Sequence, residues 1–252
     1  MAGSPTVRTH TQLIDEFIAA LKAANPDVQL SIVLIGSAAR NAATADSDLD
    51  LLALTHDGLE TVQTPGPLHV QAMTESKFRE RLSSGDDFAA WCVRYGIPIV
   101  RSDTWDRVLE SPEASQWPDW RLKIEHAARR LLLASGLRES GDSDAAAEEL
   151  IYAVSHVARA ILLKNEIFPL SRPEMITQLK DAGYPRLADA LVKLSFGTRT
   201  DQAMKQTILY VKKLLIHLDR ERFKKYVDSR RDARKRKTKQ GAGKQIGPTR
   251  VQ

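Results

Sequence analysis

Cysteine is nearly absent from this chain of 252 residues: Cys92 stands alone. One thiol excludes an internal disulfide and any cysteine-based metal centre. Long apolar runs are missing too, and none approaches the roughly 20 residues that span a bilayer. The N-terminal stretch Met1-Ala-Gly-Ser-Pro-Thr-Val-Arg8 has no apolar core of the signal-peptide kind, so the expectation is a cytoplasmic protein with no membrane contact. What the chain has in full measure is length and apolar content. The hydrophobic share of 42% is ordinary for a globular chain, and the length allows one large domain or two small ones. A formal net charge of +5 conceals an uneven distribution. Residues 220–252 hold 13 Lys/Arg against 3 Asp/Glu, which leaves the first 219 residues with five acids in excess. The basic character belongs to the C-terminal end alone.

The most informative stretch is Leu34-Ile-Gly-Ser-Ala-Ala-Arg-Asn-Ala-Ala-Thr-Ala-Asp-Ser-Asp-Leu-Asp-Leu-Leu-Ala53. An apolar run ends in Gly36-Ser37, and a second run carries Asp48 and Asp50. Strands are depleted in Asp, and alternate strand residues share a face. The two carboxylates therefore stand side by side, and they repel unless a cation lies between them. A hard divalent ion with oxygen ligands fits best, which points to Mg²⁺. The Gly36-Ser37 turn, at the head of a short helix, offers backbone N–H groups and a hydroxyl to a phosphate. Metal and phosphate together suggest a nucleotide.

Gly36-Ser37, Arg40 and Ser47-Asp48-Leu49-Asp50-Leu51 resemble the signature of the DNA polymerase β-like nucleotidyltransferases, with Gly-Ser followed about ten residues later by Asp-x-Asp. The likeness is closest to the small bacterial branch with aminoglycoside and minimal nucleotidyltransferases. The resemblance implies that Gly36, Ser37 and Arg40 receive the triphosphate while Asp48 and Asp50 hold Mg²⁺. It implies NMP transfer, most simply AMP from ATP, to a hydroxyl acceptor with release of pyrophosphate. That acceptor is left open among a small molecule, a protein and an RNA. Asn41 stands where the family usually has Gly, and Asn also tolerates a left-handed backbone.

The order of elements agrees. Leu13, Ile14, Phe17, Ile18 and Leu21 recur at helical spacing. Strands are expected at 28–35, through the Asp-x-Asp run, at 68–74 and, as an edge strand with Pro98, at 97–100. Trp91 and Trp105 are expected to pack beneath these elements. From about Pro112 helical patterns replace strands: 120–137, a long helix at 145–165, two shorter ones, and a last one from Thr200. Ser171-Arg-Pro-Glu174 has capping-box spacing. The fold expected is thus an α/β (α+β) nucleotidyltransferase palm-like domain with a short mixed sheet at 1–111, then an all-α helical bundle on the acceptor side at 112–219. Phe168-Pro-Leu-Ser-Arg-Pro-Glu174 also resembles the helical domain found beside such enzymes. Residues 220–252 form a basic tail, largely disordered. It offers weak, salt-sensitive contact with nucleic acid, binding to another acidic partner, or solubility alone.

One carboxylate is missing. Most relatives place a third acid on the strand after Asp-x-Asp, and Leu68-His-Val-Gln-Ala-Met-Thr74 has none. His69, Gln71 and Met73 share the face turned toward the Asp pair; His69 can accept a proton and Gln71 can ligate through its carbonyl. A base from the bundle is the other expectation, with Glu149 the catalytic candidate and Glu148 beside it. The missing acid also admits a rival reading, a nucleotide-binding or regulatory protein that has lost transfer. Arg121-Leu-Lys-Ile-Glu-His126 fits the Arg-x4-His spacing of HEPN ribonucleases, which makes such a ribonuclease or its inhibitor the second rival.

Overall fold

Apolar spacing in the first helix and alternation in the strands together build one layered unit. The computed structural model describes residues 10–43, 47–59, 62–64, 66–197 and 199–229. The chain divides into two compact units, Met1–Asp119 and Trp120–Gln252. In the first unit the elements run α1 (His10–Ala24), β1 (Leu30–Ile35), α2 (Gly36–Ala39), β2 (Leu49–Thr55), β3 (Leu68–Thr74), α3 (Glu75–Ser83), α4 (Asp87–Tyr95), β4 (Ile97–Val100) and α5 (Asp103–Glu110). A 3₁₀ turn at Pro112–Ser115 follows. The Asp119 N–H donates to the Gly85 carbonyl at 2.9 Å, which ties the end of this segment to the first unit.

Among the described residues the strands form one sheet, ordered β3-β2-β1-β4. β1 is antiparallel to β2 and to β4, while β2 and β3 are parallel, so the sheet is mixed. Alternation decides its two faces. Leu30, Ile32, Leu49, Leu51, Ala53 and Leu68 face α1 and bury Leu13, Phe17, Ile18 and Leu21 with them. Each such side chain contributes about 1.5–3 kcal/mol on burial. On the other face lie Val33, Ile35, Leu52 and Leu54, all buried. Helices α3, α4 and α5 pack on that side. Trp105 is fully buried with its ring 6.2 Å from Phe78. Trp91 is only half-buried and lies against Tyr95. β4 is an edge strand with Ile97 and Ile99 exposed.

The second unit comprises α6 (Trp120–Glu139), α7 (Ser143–Lys164), α8 (Arg172–Asp181), α9 (Pro185–Phe196) and α10 (Asp201–Leu218). Helix α7 buries residues on nearly every side, among them Leu150, Ile151, Val154, Val157, Ile161 and Leu162. A helix apolar all round belongs at the centre, and α6, α8, α9 and α10 each pack against it. The capping box at Ser171 and Glu174 is formed. Residues 220–229 are helical, and Phe223 is buried in the bundle core. The densest basic run of the tail, beyond residue 229, lies outside the described residues. No helix among the described residues is long and apolar enough to cross a membrane.

One ion pair braces the first unit. Glu75 opens α3 directly after β3, and its Oε2 accepts from Arg107 Nε at 3.0 Å and Nη2 at 2.7 Å. The hydrogen bond from Arg107 holds the Glu75 carboxyl below its ordinary range, against burial, which raises it. A depressed carboxyl stabilises the fold above the unfolded pKa, and that contribution is lost as pH falls through the folded one. Replacing Glu75 with Gln forfeits on the order of 1 kcal/mol at neutral pH. The expected result is a Tm lower by about 2–4 °C at pH 7, with a gap to the wild type that narrows in acid, read from thermal melts across pH.

Candidate functional site

The site is assembled at one end of β1 and β2. In the antiparallel register Ile35 faces Asp50, so β1 hands over to Gly36 beside the Asp50 side chain. Gly36 has φ +74°, and a Cβ placed on it would stand 2.3 Å from Asp50 Oδ2. Only glycine permits both that backbone and that approach. The expected short helix, α2, is a single turn. Its macrodipole is correspondingly small, and the turn's value to an anion lies in its N–H groups and the Ser37 hydroxyl. The Ser37 carbonyl accepts from the Arg40 and Ala42 N–H groups at 3.2 and 3.0 Å, which closes the turn. Asn41 adopts φ +56°, the left-handed conformation for which Asn substitutes for Gly. The Arg40 guanidinium lies 5.7 Å from the Tyr95 ring centre.

Asp48 and Asp50 share a face, and the parallel register sets His69 opposite Asp50. His69 Nδ1 is 3.8 Å from Asp48 Oδ2 and 3.9 Å from Asp50 Oδ1. Gln71 sits two pairs further along on the same face, opposite Leu52. Asp48 is 56% exposed and Asp50 42%, so both carboxylates are reachable from solvent. Burial pushes the Asp50 carboxyl above its ordinary value; His69 works against that and the Asp48 charge adds to it. A cation placed between the two carboxylates would offset both the burial of Asp50 and the Asp48 charge beside it. Among the described residues no cluster of three or more His, Cys, Asp or Glu forms a metal cage. Mg²⁺ is commonly held by one or two carboxylates together with substrate phosphates and water, and the pair Asp48/Asp50 fits that manner of binding.

The candidates from the bundle are engaged within their own unit. Both Glu149 oxygens accept from Arg130 Nη1, at 2.8 and 2.9 Å. Glu148 accepts from Arg199 Nη1 at 2.7 Å. Arg121 is exposed and stacks on Trp120, while His126 stands edge-on to His156 with ring centres 5.2 Å apart. Asp46, the acid before Ser47, lies outside the described residues. Sequence reasoning missed Tyr95 and Arg130. Each is brought to its partner by tertiary packing, and no local spacing announces either contact. The Gly36–Asp50 contact did leave a signal, since a glycine directly after a buried strand marks a left-handed turn or close approach.

Residues 14–89 match the family model of the nucleotidyltransferase domain. That span holds the turn, both acids and His69, and it supports nucleotidyl transfer in general as the class of activity. No curated protein matches the chain. A solved structure described as a nucleotidyltransferase-like protein from Exiguobacterium sibiricum is similar over 85% of this chain and 78% of that one, with 18% identity and a TM-score of 0.46. That likeness is too distant to inform the site.

Two substitutions probe this geometry. Gly36→Ala must move the Asp50 carboxylate and strain the left-handed turn, a cost of about 1–2 kcal/mol from the backbone alone. It is expected to lower the Tm and to weaken Mg-ATP binding in calorimetry together. Asp50→Asn has the opposite sign for stability. Because the folded protein holds the Asp50 proton more tightly than the unfolded chain, stability falls as pH rises through the carboxyl range. Asp50→Asn removes that burden, so its metal-free Tm should exceed the wild type's at pH 7, with the gain shrinking toward acid pH.

Proposed function

We propose that the chain is a Mg²⁺-dependent nucleotidyltransferase that moves NMP, in the simplest case AMP from ATP, onto a hydroxyl acceptor and releases pyrophosphate. The observation that carries this reading is the juxtaposition of Asp48 and Asp50 with the Gly36-Ser37 turn. In it the first unit is the catalytic domain, the bundle selects the acceptor, and the acceptor is a small molecule, a protein side chain or an RNA hydroxyl.

Asp48 and Asp50 would hold Mg²⁺, which supplies neutralisation of the charge that develops on the phosphates. The Gly36-Ser37 turn would seat the triphosphate with its N–H groups and hydroxyl, and Arg40 would offset phosphate charge. The acceptor oxygen bonds to the α-phosphorus as the bond to the bridging oxygen breaks, and pyrophosphate carries that electron pair away. Positioning supplies most of the catalysis in such a displacement. The acceptor's proton needs a base. Glu149 is a candidate, but Arg130 donates to both of its oxygens and holds it within the bundle. The register favours His69, which stands beside both acids with its imidazole 64% exposed.

The absence of a third acid among the described residues of β3 favours one rival, a nucleotide-binding protein that no longer transfers. Release of pyrophosphate from ATP, followed across hydroxyl compounds, proteins and RNA, separates the two. Transfer to some acceptor supports the enzyme; tight Mg-ATP binding with silence toward every acceptor supports the rival. In the enzyme, Asp48→Asn combined with Asp50→Asn is expected to lower transfer by at least about 10³-fold, equal to about 4 kcal/mol of barrier. Unchanged transfer in that variant would reject the site. His69→Gln is expected to lower kcat by about 10²-fold, whereas Glu149→Gln should leave kcat nearly unchanged and reduce the Tm.

A further inference from the structure

The bundle carries a groove that the nucleotide site does not use. Helices α9 and α10 each pack on α7, and between them lies a cavity of about 200 Å³. Its walls carry three cations, Arg186, Lys193 and Arg199, against one acid, Asp189. Two of the cations are fixed. Arg199 donates from Nε to the Leu194 carbonyl at 3.0 Å and from Nη1 to Glu148 at 2.7 Å. Arg186 lies over the Tyr210 ring, 4.4 Å from its centre. Arg186 and Lys193 are seven residues apart on α9, about 10 Å along one face. This volume lies below the usual range of about 300–1,000 Å³ for pockets that enclose a drug-sized ligand. It suits a phosphate and the sugar beside it.

A large apolar side chain on α9 is left uncovered near Lys193, one of the lining cations. Phe196 lies one turn beyond Lys193 on α9 and is 76% exposed. Cations within and an uncovered aromatic ring outside is the arrangement that binds a single nucleic-acid strand, its phosphates in the groove and an unpaired base on the ring. An acidic amphipathic helix would require the reverse, an apolar groove with cations along the rim. A duplex keeps its base faces stacked away from such a ring.

We propose that the α9–α10 groove of the helical unit binds single-stranded nucleic acid, with phosphates held by Arg186 and Lys193 and a base stacked on Phe196. The proposal is independent of whether the first unit transfers nucleotides. The test is fluorescence anisotropy of a labelled, mixed-sequence RNA of about 12 nucleotides with the full chain, titrated from about 50 to about 200 mM salt. Arg186→Glu with Lys193→Glu should weaken binding at least tenfold. The slope of log affinity against log salt should fall by about 1.4, since two phosphate contacts are lost. Phe196→Ala should weaken binding by about 5- to 100-fold without changing that slope. Thermal melts verify folding, and Arg186→Gln with Lys193→Gln serves if the charge-reversed variant melts early. Three results would overturn the proposal. Affinity unchanged in both variants would assign binding to the basic extension alone. Neutrality of Phe196→Ala with orthophosphate displacing the RNA would make the groove a small-phosphate site. Equal displacement by polyglutamate would make it a general acidic-partner surface.

Discussion

Everything at the candidate site depends on how closely the Asp50 carboxylate approaches the backbone at Gly36. The antiparallel pairing of β1 with β2 sets Ile35 against Asp50, and that register leaves no room for a side chain on the next residue. The turn proposed to seat phosphate and the acid proposed to hold metal are thus joined by a steric contact, without any linking hydrogen bond being required. A side chain at 36 would disturb both halves together. Asp50 is held there against burial and against the neighbouring charge of Asp48. The core strands beneath, with Ile32, Leu51, Leu52 and Ala53 fully buried, supply the rigidity that keeps it in place.

Much of this was legible in the residues. Alternation in β2 declared that Asp48 and Asp50 share a face, and the helical spacing from Leu13 to Leu21 declared α1. The starts of β3 and β4 could be read closely because Pro67 precedes the one and Gly96 the other. The mixed sheet was expected from the family resemblance alone: nothing local in Leu68–Thr74 says that β3 runs parallel to β2, since strand direction is decided by the connection and the layers. Helix α5 escaped notice as well, because its eight residues present only Trp105 and Val108 as strong apolar anchors. Ion pairs between distant residues lay furthest from reach. The hold of Arg130 on Glu149 joins two helices through side chains whose meeting depends on the rotation of both, and an acid that looked available for proton transfer is instead engaged.

The bundle illustrates how composition is allotted by position. Alanine is concentrated along α6 and α7, at Ala127, Ala128, Ala134, Ala146, Ala147, Ala153, Ala158 and Ala160, all buried. Small side chains let two helices approach closely, and they leave larger Leu, Ile and Val residues to fill the remaining space around α7. The polar and charged residues are displaced outward. Most of the ion pairs in this unit lie at partly exposed positions, where they contribute modestly to stability and bear more on orientation.

β3 passes into α3 without an intervening residue: Thr74 ends the strand opposite Thr55, and its hydroxyl accepts from the Lys77 N–H as the helix cap. Sliding β3 would unwind α3, so position 69 is anchored from five residues away by a feature unconnected with its own side chain. The frame is thereby indifferent to what occupies that position. An acid, an amide or an imidazole can be exchanged there with the register intact, so the chemistry offered beside the Asp pair can change while the architecture stays constant.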